Sequence, residues 1–189
     1  TFVTEPDSGI YDAFNKGLAL ANTPWVGFVG SDDFLTSDSR GLFDYVIGKE
    51  DDCDFATGSV MLFDAGGKSI KPVGELWTWE RCRKRMLVAH VGALFNAKLF
   101  SINGGFNTTY SVCGDYDFLL RIGRTARAHH TCATIANMEV GGASDSMYSI
   151  YEASKVKWNN NSCSIGSIFF VFAIDILSIF KRKIMCIRR

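Results

Sequence analysis

Two adjacent carboxylates, Asp32 and Asp33, follow a short apolar run at residues 25–30. Such a run predicts a buried strand, and in open α/β sheets ligands bind at the carboxyl ends of the strands. Neighbouring carboxylates need compensation to stay ionised, and hard divalent cations such as Mg²⁺ or Mn²⁺ prefer oxygen ligands. The pair therefore predicts a metal site that also takes a phosphate-bearing substrate. A solvated turn or a helix N-cap is the alternative, because Asp is common in both.

Two further acids, Asp115 and Asp117, fall at the start of a helix predicted over residues 115–124. The free backbone N–H groups of a first helical turn favour an ionised carboxylate, and Gly114 lets the chain turn tightly before it. Either acid is a candidate general base. Both cannot point into one site, because successive helix positions diverge. An ordinary helix cap is the alternative for Asp115.

The elements that would position these acids alternate along the chain. Asp7 or Ser8 is predicted to cap a helix of about thirteen residues, whose apolar residues recur at helical spacing. The predicted elements that follow are a central strand at 25–30, a helix to about 49, strands at 55–63 and 69–73, a short helix or loop at 76–85, a strand at 92–96, a short helix to about 101, the helix at 115–124 and a strand at 130–140. This alternation predicts an α/β sheet with helices on its faces.

Composition limits the class of protein. The 189 residues are 47% apolar and 21% charged, which is typical of one globular domain. The net charge is zero, but the last nine residues hold five basic side chains and no acid. The rest of the chain is therefore net negative, which argues against nucleic acid as a partner. Six dispersed cysteines show no zinc spacing and are interpreted as inert thiols in a reducing compartment.

The segment 165–180 is almost wholly apolar, and its polar side chains are Ser167, Asp175 and Ser178. It falls just short of the ~20 residues that span a bilayer, and a basic cluster of the kind that marks a cytoplasmic end follows it. The pattern predicts a C-terminal apolar helix that contacts a membrane surface at shallow depth. A buried terminal helix is the alternative. The basic cluster consists of Lys181, Arg182, Lys183, Arg188 and Arg189.

Residues 5–17, EPDSGIYDAFNKG, are similar to the SEPDxGIYDAMNKG signature of family-2 inverting glycosyltransferases of the bacterial surface-polysaccharide type. FVGSDD at 28–33, GGF at 104–106, GDYDFLLR at 114–121 and GGAS at 141–144 resemble further blocks of that family in the same order. Together these blocks cover about residues 1–145. The resemblance implies a glycosyltransferase-A-like α/β fold with a mostly parallel mixed sheet flanked by helices, a nucleotide-sugar donor, and Mg²⁺ or Mn²⁺.

The resemblance also implies roles for single residues. Asp33 would be the metal ligand, and Asp115 stands where the family has its general base. His90 would contact phosphate or acceptor, and Lys16 could reach a phosphate, although a lone histidine and an exposed lysine are more often structural. The residues expected to contact the donor or acceptor are Asp7, Tyr11, Asn15, Lys16, Asp32 and His90.

The function expected is sugar transfer from a nucleotide-sugar donor to a glycan or lipid-linked acceptor in cell-surface polysaccharide synthesis, in the cytoplasm at the inner face of the cell membrane. Residues 1–145 would form the catalytic domain and 146–189 a helical tail. Gly114 and Ala143 depart from the family pattern, and the portion that holds the nucleotide base is not recognised, so the chain is expected to be N-terminally truncated. The alternative is a non-catalytic remnant that binds a membrane or a partner. A second enzymatic alternative is a nucleotidyltransferase. That enzyme would need a Gly-rich basic phosphate loop near the start, and the sequence shows none there.

Overall fold

The structure is a computed structural model that describes residues 2–187, with the side chains of 145 and 178–187 left out of the description. The elements in chain order are α1 (Ile10–Leu20), β1 (Trp25–Gly27), β2 (Phe34–Leu35), α2 (Ser39–Val46), β3 (Phe55–Phe63), β4 (Ser69–Val73), α3 (Trp79–Cys82), β5 (Ala93–Asn96), α4 (Lys98–Asn103), α5 (Gly114–Ile122), β6 (Ala128–Glu139), α6 (Met147–Asn159) and α7 (Ile165–Ile187). Short 3₁₀ turns precede β5 and α6.

The strands form one mixed sheet in the order β1-β5-β3-β6-β2, and β4 pairs with β3 as a hairpin. The expected α/β fold with a mixed sheet flanked by helices is confirmed. The expectation of a mostly parallel sheet is wrong: within residues 2–187, β3 and β6 are the one parallel pair, and the other pairings are antiparallel. Parallel neighbours arise from βαβ units, in which a helix joins two strands that lie side by side. Here β3 lies between β5 and β6, so most neighbouring strands are not joined in that way.

The prediction of a central strand over residues 25–30 is also wrong. β1 ends at Gly27 and lies at one end of the described sheet, where it pairs with β5. The chain turns there, because the N–H of Asp33 donates to the carbonyl of Gly30 at 3.2 Å. Helix α1 covers the apolar run instead of neighbouring strands, since the ring centroids of Phe14 and Phe28 lie 4.7 Å apart. The acidic pair therefore lies in a turn at the margin of the described sheet.

Helix α1 begins without the predicted side-chain cap. Its N-cap is Gly9, whose φ of 127° is a conformation that favours glycine. The carboxylate of Asp7 accepts from the N–H of Gly9 at 3.1 Å, and Asp12 accepts from the N–H of Ser8 at 2.9 Å. These two bonds fix the approach of the chain to the helix.

The main hydrophobic core lies between the sheet and helices α1, α5 and α6. Phe55 and Phe95 from the sheet, Phe118 from α5 and Val156 from α6 are completely buried in it. Helix α6 therefore packs into the same core as the elements before it. The division of the chain at residue 145 stays a prediction.

A helix, α7, occupies the segment that the sequence analysis assigned to membrane contact. Within the described part of the chain, no helix combines the length and the apolar character needed to cross a membrane. The basic cluster that follows lies outside the residues whose side chains are described.

Candidate active site

Asp115 lies half-buried in the first turn of α5 and lines a cavity of about 250 Å³. Its Oδ1 accepts the backbone N–H of Tyr116 at 2.8 Å and lies 3.1 Å from the hydroxyl of Tyr11. Both contacts fall on Oδ1, so Oδ2 has no hydrogen-bond donor among the described residues. The carboxylate is thus held by one oxygen and has the other available for a ligand in the cavity.

The cavity has walls of mixed character. The segment after α3, the loop before α5 and helices α5, α6 and α7 all contribute to it, and its lining includes both polar and apolar side chains. Its lining consists of Lys84, Arg85, Met86, Val112, Cys113, Asp115, Tyr116, Ser144, Ser149, Ile150, Ala153, Lys157 and Asp175.

Tyr11 connects α1 to this cavity. Its buried hydroxyl lies 2.6 Å from the carbonyl of Val112, and burial, followed by the charge of Asp115, raises its pKa well above the usual range. The hydroxyl therefore stays protonated and can donate. A Cβ on Gly114 would come within 2.8 Å of the Tyr11 ring. The ring of Tyr11 therefore leaves no room for a side chain at position 114 unless it moves.

Asp117, the competing candidate base, is committed to structural contacts. It is 4% exposed, and its carboxylate receives hydrogen bonds from Nε of Arg121 at 2.9 Å and Nδ2 of Asn160 at 2.8 Å. Arg121 also donates to the carbonyls of Asn103 and Gly105. Asp117 does not line the cavity, and the arginine is fully engaged within the fold. The geometry thus favours Asp115 of the two acids.

Asp32 and Asp33 gather around Gly30 at the end of β1. The N–H of Gly30 donates to Oδ2 of Asp33 at 3.1 Å, and a Cβ on Gly30 would meet Oδ2 of Asp33 at 2.7 Å and Oδ1 of Asp32 at 3.1 Å. Burial raises the pKa of Asp33, the Gly30 N–H partly offsets this, and the charge of Asp32 adds to the rise. A carboxylate in this state gains from a nearby cation.

The donor set at this turn fits a hard divalent cation only if other ligands join it. Among the residues described, no group of three or more His, Cys, Asp or Glu side chains is arranged to hold a metal ion. Mg²⁺, however, is often bound by one or two carboxylates together with substrate phosphates. Asp32 and Asp33, whose oxygens converge on one glycine, match that pattern.

The residues expected on α1 as donor contacts are mostly engaged inside the chain. The amide of Asn15 forms two 2.8 Å hydrogen bonds with the backbone of Phe106. Lys16 pairs with Asp12 at 3.0 Å and donates to the carbonyl of Pro6 at 2.7 Å. Like Asp7, these two residues hold α1 and its approach in place, so Tyr11 is the α1 residue that reaches Asp115.

His90 lies in an aromatic cluster rather than in the Asp115 cavity. Its ring stacks on Phe28 with centroids 5.2 Å apart and lies 5.7 Å from Phe14. Both ring nitrogens are buried, with no hydrogen-bond partner among the described residues. Burial lowers the pKa of His90, while the charge of Asp115 acts in the opposite direction. A neutral imidazole in this position offers no positive charge to a phosphate.

Helix α1 links the two acidic elements. Tyr11 and Phe14, one turn apart on its inner face, have ring centroids 6.1 Å apart. Tyr11 reaches Asp115, and Phe14 packs on Phe28, which lies five residues before Asp33. Asp32 and Asp33 do not line the Asp115 cavity. The two acidic elements are therefore separate sites, and helix α1 packs between them.

Two positioning residues escaped the sequence analysis. Glu152 on α6 is 1% exposed and accepts from the backbone N–H groups of Ser111, Val112 and Cys113 at 2.8, 2.6 and 2.7 Å. It thereby fixes the loop that leads into Asp115. The available signal was its position four residues before Val156, on the apolar face of a predicted helix.

Lys157 is the second of them and is 2% exposed at the cavity wall. Burial lowers its pKa, and the charge of Asp175 on α7 opposes this. Its described hydrogen bond runs to the carbonyl of Lys84 at 3.4 Å. Asp175 lines the same cavity, so the acid within the apolar segment lies on the inner side of α7.

Comparison with known proteins supports a relationship in sequence. No family model matches the chain. A PGL/p-HBAD biosynthesis glycosyltransferase of Mycobacterium tuberculosis is 29% identical over 118 residues, which cover 62% of this chain and 44% of the relative. The chondroitin synthase of Pasteurella multocida is 24% identical over 138 residues, covering 68% of this chain and 13% of that protein. The chain spans less than half the length of these relatives.

Solved structures support the fold. Staphylococcus aureus TarS 1–349 in complex with UDP-GlcNAc superposes with a TM-score of 0.60 at 14% identity, covering 89% of this chain and 52% of that one. The same protein with UDP gives a TM-score of 0.56 at 13% identity. The likeness extends over most of the described chain. The resemblance to family-2 glycosyltransferases is thus confirmed: the chain is related in sequence to glycosyltransferases and has a glycosyltransferase-A-like α/β fold.

Proposed function

We propose that this chain carries the base and metal elements of an inverting glycosyltransferase that moves a sugar from a nucleotide-sugar donor to an acceptor hydroxyl. The observation that carries the proposal is the state of Asp115. One carboxylate oxygen is held by the chain, the other has no hydrogen-bond donor among the residues that the structure describes, and the residue lines a cavity of about 250 Å³. The names of the relatives and the UDP-GlcNAc bound to TarS support the same class of reaction.

In this reaction Asp115 accepts the proton of the acceptor hydroxyl through its unengaged Oδ2. The hydroxyl oxygen forms a bond to the anomeric carbon of the sugar as the bond from that carbon to the donor diphosphate breaks. Attack from the face opposite the leaving group inverts the configuration. Tyr11 and the N–H of Tyr116 keep the carboxylate oriented, so less ordering remains to be done when the acceptor binds.

Negative charge develops on the leaving diphosphate, and we assign Asp32 and Asp33 to the donor side of the reaction. Mg²⁺ or Mn²⁺ held by Asp33 would neutralise that charge. The raised pKa of Asp33 supports this role, because a carboxylate that burial and Asp32 disfavour gains most from a bound cation. Asp32, the more exposed of the two, would face the ribose or sugar hydroxyls.

The acceptor would enter the Asp115 cavity. Its lining includes the hydroxyl-bearing Ser144 and Ser149 as well as the apolar Met86, Ile150 and Ala153. Such a mixture suits a sugar, which presents polar edges and a less polar face. A growing surface glycan or a lipid-linked sugar fits this requirement, and both belong to cell-surface polysaccharide synthesis.

Replacement of the two neighbouring acids tests the proposal. In the full-length protein, Asp115→Asn should lower kcat by at least ~10²-fold, the usual scale of general-base loss, while calorimetry finds UDP bound as in the wild type. Asp117→Asn should instead lower the free energy of unfolding and leave kcat of the folded protein nearly unchanged. A larger kcat loss in Asp117→Asn would overturn the assignment. Absence of transfer from UDP-GlcNAc and other nucleotide sugars by a folded wild type would favour the non-catalytic alternative.

A further inference from the structure

The outward face of α7 has an unusual composition for a helix at a protein surface. Over residues 165–177 the exposed positions recur at helical spacing and contain no polar side chain. They are Ile165, Gly166, Phe169, Phe170, Ala173, Ile174 and Leu177, and the five large side chains among them are each at least 48% exposed. We call these residues the outer face of α7.

The inward side of the same helix holds its polar groups. Ser167 is partly buried, and Asp175 lines the cavity that also contains Lys157. Ile168, Val171, Phe172 and Ile176 are buried or partly buried, so the helix is apolar on its inner side as well, and its acid is turned toward the cavity. An exposed apolar face of this kind gains free energy when an apolar medium covers it, because apolar area is then removed from water.

We propose that the outer face of α7 docks on the surface of an anionic lipid bilayer, with the helix lying in the interface. Charge complementarity selects this occupant, because the sequence after residue 180 holds five basic residues and no acid at 181–189. Exposed Tyr148, Tyr151 and Trp158 on α6, which packs against α7, belong to the residue types enriched at the headgroup level. A protein partner would normally meet a polar rim around its apolar centre, and the outer face has none over three turns.

Docking has a consequence for the acceptor, and this consequence rests on the proposed function. The inner side of α7 contributes Asp175 to the wall of the Asp115 cavity. A bilayer against the outer face would therefore place the candidate base one helix diameter from the lipid surface, ~10 Å. Acceptors anchored in lipid would reach it without leaving the membrane.

Vesicle co-sedimentation of the full chain tests the docking itself. The wild type should sediment with vesicles that contain phosphatidylglycerol, sediment less with neutral phosphatidylcholine vesicles, and be released by high salt. Leu177→Glu should weaken the binding at least ~10-fold, because it removes an apolar contact and adds a charge that the anionic surface repels.

Leu20→Glu is the matched control, since Leu20 is 59% exposed on α1 and Leu177 is 60% exposed on α7. The control should bind vesicles as the wild type does. Phe169→Glu provides a second variant on the outer face, and circular dichroism checks that each protein is folded. The docking proposal is overturned if both outer-face variants bind like the control. It is also overturned if light scattering finds a dimer that Leu177→Glu dissociates and no vesicle binding, because a second copy then covers the face. Neither result bears on transfer by Asp115.

Discussion

The two acidic elements differ in how far the chain itself completes them. Asp115 is held by the hydroxyl of Tyr11 and the N–H of Tyr116, and the loop before it is fixed by Glu152. Asp33 has one backbone donor, the N–H of Gly30, and a like charge beside it in Asp32. The base is thus oriented before any ligand binds, whereas the acidic turn lacks the compensating charge that a cation would bring. Within this chain, the carboxylate that would accept the proton is preorganised, whereas the carboxylates that would bind the metal are not.

The largest effect that can break this comparison is expected at Glu152. Glu152→Gln preserves the shape of the side chain but puts an amide N–H₂ group against backbone donors, so a buried N–H loses its acceptor. We expect the free energy of unfolding to fall by ~2–3 kcal/mol, measured by urea unfolding, and kcat to fall because the Asp115 loop loosens.

The control for this change is Glu80→Gln, since Glu80 lies in an exposed ion pair with Arg124 at 3.2 Å. It should cost less than ~1 kcal/mol. Equal stability of the two variants would mean that the loop before Asp115 does not depend on Glu152, and the contrast between the sites would lose its physical basis.

The origin of this contrast also explains what the sequence could predict. The acids, the helix that starts at Gly114 and strand β3 were recognisable because their signals are local: adjacent residue types, glycines and a continuous apolar run. Glu152 holds residues about forty positions away, and no local pattern reveals such a contact. The apolar run at 25–30 was assigned to a central strand because local apolarity does not tell whether strands or a helix such as α1 cover it.

The second prediction sharpens the comparison at the acidic turn. Asp33→Asn should weaken Mn²⁺-dependent UDP binding by at least ~10-fold in calorimetry, because the proposed cation loses a charged ligand. Asp44→Asn, at an exposed carboxylate that pairs with Arg40, should leave that binding unchanged. UDP affinity that does not depend on Mn²⁺, or that survives Asp33→Asn, would remove the metal role.

The same variant has an opposite effect on the ligand-free protein. The fold raises the pKa of Asp33, so its ionised form destabilises the folded state. Asp33→Asn should therefore raise the free energy of unfolding slightly at pH 7. The gain should fade as the pH falls through the raised pKa of the folded state and should vanish below ~4, where the carboxylate is protonated in the unfolded chain too. A loss of stability at pH 7 would show that the turn is already compensated and would remove the contrast with Asp115.

The smallest effect is expected at His90, which lies beside Phe28 on the way to the acidic turn. The fold lowers the pKa of His90 by burial, so folding favours the neutral ring, and stability should be lost as the pH falls below ~6.5, where the unfolded ring takes up a proton. His90→Phe should reduce this pH-dependent loss by a measurable part of the total.

A change in packing shifts stability by a similar amount at every pH, so the slope of stability against pH isolates the titration of the ring. Urea unfolding at several pH values between about 5 and 8, on both sides of ~6.5, supplies that slope. UDP binding should stay as in the wild type, because the ring nitrogens point into an aromatic cluster and carry no charge. If His90→Phe lost UDP binding while keeping its stability, the ring would belong to the donor site. The chain would then supply a donor contact beside the acidic turn, and the contrast with Asp115 would be smaller than the described contacts indicate.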